Sequence, residues 1–163
     1  MNTETARPPI LIVEDSEADF VAIRRALLRT GLQNPLCRFD NGADALAYLF
    51  REGIHADPDD SPRPGAVLLD LELPGLNGRE VLARIKGHSE LRCIPVIVLT
   101  GNEGRQDVER CYELGANSFI RKPSDPETLY AAFQSFADFW FGIASLPRSE
   151  DAGGMPAAPE SEG

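Results

Sequence analysis

An apolar run that stops on an acid, Ala66-Val67-Leu68-Leu69-Asp70, constrains this chain most. A Pro-Gly turn follows, in Leu71-Glu72-Leu73-Pro74-Gly75-Leu76-Asn77-Gly78. β-formers that end on a carboxylate before such a turn read as a strand delivering the acid to a sheet edge. Three further runs end in a matching way. Ile10-Leu11-Ile12-Val13 stops on Glu14-Asp15, Val96-Ile97-Val98-Leu99 on Thr100, and Ser118-Phe119-Ile120 on Arg121-Lys122. Acids, a hydroxyl and a lysine are therefore expected together at one edge of one sheet.

Helical patterns separate these runs, and strand–helix alternation predicts an α/β fold whose parallel sheet is covered on both faces. The first strand is expected over 9–14. Ser16 then caps a helix with Phe20, Ile23 and Leu27 at helical spacing, stopped by Gly31. A strand is expected over 36–39 and a helix over 43–51, with Ala45, Leu46 and Leu49 inward. The third strand ends at Asp70, and a helix over 78–86 buries Val81, Leu82 and Ile85. A strand over 96–99, a helix over 104–114 ended by Gly115, and a strand over 117–120 follow. The last helix starts at Ser124-Asp125-Pro126-Glu127, where a cap and an early proline agree, and is expected to run to 146. Residues 52–65, rich in proline and aspartate, read as a long surface loop too polar to pack. The expected organisation is an extension over 1–8, one domain over 9–146 and a disordered acidic tail over 147–163.

Composition narrows the function. A chain of 163 residues, 42% of them hydrophobic, can bury one core but not a second folded domain as well. A net charge of −10 opposes nucleic acid or an anionic membrane surface as partner. No apolar run reaches the length of a membrane span, and residues 1–9 lack a signal-peptide core, so the chain reads as cytoplasmic. Cys37, Cys93 and Cys111 form no close pair, which favours reduced thiols over a disulfide or metal framework. His55 and His88 lie in loop-like or helix-end contexts and suggest no relay role.

In an open parallel sheet, ligands bind beyond the carboxyl ends of the strands, where the winding direction switches. A central first strand brings Glu14, Asp15 and Asp70 together there. Clustered carboxylates repel, and a hard divalent cation offsets this. Mg²⁺ takes a few carboxylates and completes its shell with water or phosphate oxygens. Asp70 is then a nucleophile toward phosphorus, forming an aspartyl phosphate. Such a transfer relies on positioning and charge stabilisation. Lys122 supplies a point charge, Thr100 a hydrogen bond to a phosphoryl oxygen, and the small Gly101 leaves the donor room. Each residue alone has a plainer reading. Acids favour a helix N-terminus, aspartate suits turns, hydroxyls end strands, and lysines are solvated. The coincidence of all four at strand ends selects the chemistry.

These residues resemble the receiver domain of two-component response regulators, over about 10–146. The resemblance rests on Val13-Glu14-Asp15, Leu69-Asp70-Leu71 with Pro74 and Gly78, Leu99-Thr100-Gly101, and Lys122-Pro123. It implies a flavodoxin-like doubly wound (βα)5 sandwich with strand order 2-1-3-4-5. It implies Asp70 as phosphoacceptor, Thr100 and Lys122 as phosphoryl-stabilising residues, and Thr100 with Phe119 as switch residues. It implies Mg²⁺ held by Asp15, Asp70 and the Glu72 carbonyl, with Glu14 acting through water, and a cis peptide bond before Pro123. Glu72 often gives way to Asn in the family, and its carboxylate bears on the phosphoryl lifetime; Asn102 is a further residue expected near the phosphoryl group. Glu14-Asp15-Ser16-Glu17-Ala18-Asp19, Cys111-Tyr112-Glu113-Leu114-Gly115-Ala116-Asn117-Ser118 and Phe139-Trp140 are similar to single-domain regulators of bacterial and cyanobacterial phytochrome histidine kinases.

No output domain fits after 146, so signalling is expected from the domain surface. Leu129, Phe133, Phe136, Trp140 and Ile143 form one stripe of the last helix, and Phe139 and Phe141 add apolar area beside it. A homodimer through the fourth helix, the fifth strand and the fifth helix is expected, with Phe136, Phe139, Trp140 and Phe141 at the interface. A histidine kinase is expected near the first helix, with Phe20, Ile23 and Arg24 as contacts. The chain is read as a self-modifying signalling module and not an enzyme; the alternative is a phosphate sink or an adaptor independent of phosphorylation. A dehalogenase-type hydrolase needs Asp where Glu72 stands, and a flavin-binding fold needs a hydroxyl-rich loop where Glu14 and Asp15 stand.

Overall fold

The computed structural model describes residues 6–101 and 104–147. Five short strands, β1 (Ile10–Val13), β2 (Leu36–Phe39), β3 (Ala66–Leu69), β4 (Val96–Thr100) and β5 (Ser118–Arg121), form one parallel sheet. The strand order is β2-β1-β3-β4-β5, the flavodoxin-like doubly wound arrangement that the sequence predicts. The three central strands are buried along their whole length because helices cover both faces. Their side chains alternate between two cores. Ile10, Ile12, Leu68, Ile97 and Leu99 pack with Ile23 and Leu27 of α1 (Glu17–Arg29) and with Leu129, Phe133 and Phe136 of α5 (Pro126–Asp138). Leu11, Val13, Val67, Leu69, Val96 and Val98 pack against α2 (Gly42–Phe50), α3 (Gly78–Gly87) and α4 (Arg105–Glu113).

Local chemistry places the helix starts. The side chains of Ser16, Asn41, Asn77 and Asp125 each accept a hydrogen bond from a backbone N–H in the first turn of α1, α2, α3 and α5. Asn77 and Glu80 complete a reciprocal capping box.

Four expectations are corrected. Residues 52–65 are a largely exposed loop, as expected, but Ser61, Pro64 and Gly65 are buried and anchor it. Ser61 is buried and donates to the His55 carbonyl at 2.7 Å, the Tyr48 hydroxyl donates to the Pro62 carbonyl at 2.7 Å, and Arg63 donates to the Leu49 carbonyl. The His55 ring stands edge-on to Tyr48 and Phe39. A polar loop can lie against a core once its backbone groups find partners. The last helix does not run on to 146. It loosens after Asp138 into a π-type turn, Phe139–Ile143, that contains Gly142, a poor helix former. The aromatic residues expected at an interface divide accordingly. Phe136 belongs to the core, and Phe141 turns back against it with ring centroids 5.8 Å apart. Trp140 is half-buried, while Phe139 and Ile143 remain exposed. Finally, no described peptide bond is cis. The Lys122–Pro123 bond is trans, the isomer that X–Pro bonds intrinsically favour. The proposed tail lies outside the described residues from 148 onward, as do residues 1–5 of the extension.

Candidate functional site

The strand ladder extends just past its formal ends and so sets the site in register. Glu14 N–H donates to the Phe39 carbonyl at 3.0 Å, Asp70 N–H to Val13 at 3.0 Å, and Lys122 N–H to Thr100 at 2.8 Å. Glu14, Asp70, Thr100 and Lys122 thus share the carboxyl edge of the sheet, as the sequence predicts. Glu14, Asp70 and Thr100 are buried. The Lys122 ammonium donates to Glu14 Oε2 at 2.6 Å and to Asp70 Oδ2 at 2.9 Å. The second oxygens are also held: Glu14 Oε1 accepts from Ser16 N–H at 3.1 Å, and Asp70 Oδ1 from Glu72 N–H at 3.0 Å.

Burial pushes the Glu14 carboxyl up to about 7; the Asp70 charge adds to this, and Lys122 opposes it. Burial alone would lower the Lys122 ammonium, but its hydrogen bonds to Glu14, Asp19 and Asp70 outweigh that and raise it. Lys122 is therefore a fixed positive charge at any physiological pH.

Asp15 stands on the exposed rim. Carboxylate oxygens of Glu14, Asp15 and Asp70 lie within 4.8 Å of one another. An all-oxygen, acid-rich donor set of this kind fits a hard divalent cation. The Thr100 hydroxyl is buried without a hydrogen-bond partner among the described residues. Orphaned buried hydroxyls are uncommon, and an incoming acceptor oxygen would satisfy this one. Added at Gly101, a Cβ would meet none of the described residues within 4 Å.

Gly78 explains how α3 closes on the site. A Cβ there would lie 2.2 Å from the Asp70 carbonyl oxygen and 2.5 Å from Leu71 Cα. Only glycine allows the helix start to reach the strand end, where Gly78 N–H donates to the Leu71 carbonyl at 3.0 Å. Phe119 is half-buried, and its N–H donates to the Tyr112 hydroxyl at 3.2 Å. Glu72 is exposed, and Asn102 lies outside the described residues.

One member of the cluster escaped the sequence reading. Asp19 is a third partner of Lys122, at 2.9 Å. It sits in the first turn of α1, where Ser16 accepts from its N–H at 3.2 Å. An acid in a first helical turn has a sufficient local role there, and only the approach of Lys122 across 103 residues gives Asp19 a second one.

Residues 10–134 match the response regulator receiver domain family. Response regulator Rcp1 of Synechocystis sp. (strain PCC 6803) is 37% identical over 147 residues, covering 89% of this chain and 98% of Rcp1. Its solved Mn²⁺-bound form aligns with a TM-score of 0.78 at 38% identity, covering 86% of this chain and 99% of that one. The phosphorylated cyanobacterial phytochrome response regulator RcpA aligns with a TM-score of 0.81 at 36% identity, covering 88% of this chain and 100% of RcpA. In its fold and its sequence, this chain belongs to the response regulator receiver domain family.

Proposed function

We propose that this protein accepts a phosphoryl group from a histidine kinase onto Asp70 and signals through the surface of its own domain, residues 9–146. The observation that carries this reading is the Lys122 ammonium seated between Asp70 and Glu14, at the same sheet edge as a buried Thr100 hydroxyl that has no hydrogen-bond partner among the described residues. An Asp70 carboxylate oxygen attacks phosphorus. The new O–P bond forms as the P–N bond to the kinase histidine breaks, and the electron pair stays on the imidazole nitrogen. Lys122 and Thr100 each hold a phosphoryl oxygen. The Asp15 and Asp70 carboxylates and the Glu72 carbonyl would hold Mg²⁺, with Glu14 ordering its water, and the ion when bound neutralises charge on the phosphoryl oxygens. The likeness to Mn²⁺-bound Rcp1 supports such a cation.

The kinase partner is read as phytochrome-type, on the likeness to RcpA, and the chain as a cytoplasmic signalling module that turns over no separate substrate. Phosphate from a labelled kinase should transfer to the wild type and not to Asp70→Asn; label on the variant would overturn the assignment. Homodimerisation through α4, β5 and α5 is the proposed output. Support comes from the exposed Tyr112 on α4 and from Phe139 and Ile143 just beyond α5. Sedimentation at high concentration, with and without phosphodonor, should show dimer; a persistent monomer in both would refute it.

A further inference from the structure

Arg38, in the edge strand β2, reaches over the end of β1 to the loop that carries the acids. Alternation along β2 turns Cys37 and Phe39 toward one core and leaves Arg38 on the opposite face, beside α1. Its guanidinium lies over the Phe20 ring, 4.5 Å from the centroid. Arg38 Nε donates to the Glu14 carbonyl at 3.2 Å, and Nη2 approaches the Asp15 carbonyl at 3.4 Å. Nη1 is paired with the Glu17 carboxylate. One planar group therefore binds three successive parts of the chain: the end of β1, the rim residue, and the first turn of α1.

Glu14 and Asp15 are the residues whose carboxylates converge with that of Asp70. Their carbonyls lie in the peptide units that set where those carboxylates point. The Asp15 carboxylate is exposed and no described hydrogen bond holds it, so its backbone decides its position. We infer that Arg38 is a positioning residue for the cation site, fixing the β1–α1 loop so that Glu14 and Asp15 present their carboxylates together toward Asp70. This rests on the reading of that cluster as a divalent-cation site. The described bonds of Arg38 go to the Glu14 and Asp15 carbonyls and to Glu17, and none to the three converging carboxylates. Its fork geometry is what matters, because a guanidinium can hold several acceptors in one plane whereas an ammonium cannot. Groups that orient metal ligands from outside the coordination shell typically change affinity by about 10–100-fold when removed.

Positioning and simple charge predict opposite signs. A cation near an acidic site opposes Mn²⁺ electrostatically, so loss of charge alone would tighten binding. Loss of positioning weakens it. The test is Mn²⁺ binding without phosphodonor, by calorimetry and by electron paramagnetic resonance of the free ion. Wild type, Arg38→Met and Arg38→Lys are compared, each with a melting curve in EDTA. Arg38→Met, which keeps an apolar stem on Phe20, should bind Mn²⁺ about tenfold more weakly. Arg38→Lys, which keeps charge without the fork, should fall between. Unchanged or tighter binding by folded Arg38→Met overturns the inference. If Arg38→Met fails to fold, Arg38→Lys decides: weaker binding than wild type supports the inference, and equal or tighter binding overturns it. Absence of Mn²⁺ binding in the wild type overturns instead the cation-site reading beneath it.

Discussion

Lys122→Met keeps the length of the side chain and removes its charge from the centre of the site. The ammonium stands 2.6 Å from Glu14 and 2.9 Å from both Asp70 and Asp19, on a side chain only 14% exposed. The Glu14 and Asp70 side chains are 2% and 7% exposed, so water cannot replace the lost cation. Charged hydrogen bonds contribute about 1.5–3 kcal/mol each, and the variant should lose about 2 kcal/mol at pH 6 in the absence of metal. The loss should grow with pH. A carboxyl whose folded value lies above its unfolded one keeps its proton longer in the folded state. Stability then falls as pH rises from the ordinary 4.5 toward the folded value. In the wild type that decline ends near pH 7, where folded Glu14 ionises beside Lys122. Without Lys122 the folded value moves higher and the decline continues, at up to about 1.4 kcal/mol per pH unit. Urea unfolding in EDTA should give a deficit near 2 kcal/mol at pH 6 and about 3 kcal/mol at pH 8, the latter reaching the range for breaking a buried pair. Equal stability at pH 8, or a gap that narrows between pH 6 and pH 8, would refute the reasoning.

Three further substitutions probe other parts of the account. Gly78→Ala places a methyl group 2.2 Å from the Asp70 carbonyl oxygen and should cost about 1–3 kcal/mol while slowing phosphorylation; urea unfolding and a phosphorylation time course check both. Tyr48→Phe removes the bond to Pro62, so it should cost about 1 kcal/mol and speed proteolysis within 52–65; unchanged cleavage would mean that the loop is held by other contacts. Gly101→Leu places a large side chain directly after Thr100, where a Cβ meets none of the described residues within 4 Å, and should slow phosphorylation while changing stability by less than about 0.5 kcal/mol. A wild-type phosphorylation rate in that variant would show that the donor arrives from another side.

The strand ends were legible because buried parallel strands read as short apolar runs and these stop abruptly on acids, a hydroxyl and a basic pair. Ser16 and Asp125 were legible as caps because a side-chain oxygen and the helix start it serves lie within a few residues. What escaped depends on segments far apart in sequence. Asp19 meets Lys122 across 103 residues, and Arg38 meets the β1–α1 loop across more than twenty. The polarity of 52–65 concealed its packing, since backbone carbonyls satisfy Ser61, Tyr48 and Arg63 there. The stripe on α5 was legible as one apolar face, and its members Leu129, Phe133 and Phe136 are buried, although Phe136 was expected at an interface. Periodicity alone could not foresee that the helix loosens after Asp138 and sends Phe141 back against the core while leaving Ile143 exposed. The cis bond at Pro123 was an expectation of family likeness, and no local feature of Lys122-Pro123 demands it.

The central claim is that Asp70 accepts a phosphoryl group by this chain's own chemistry. It is tested most directly by intact mass after incubation with Mg²⁺ and acetyl phosphate, beside Asp70→Asn. The account predicts a single phosphoryl adduct on the wild type and none on the variant. An adduct retained in Asp70→Asn, or none on the wild type, would contradict it.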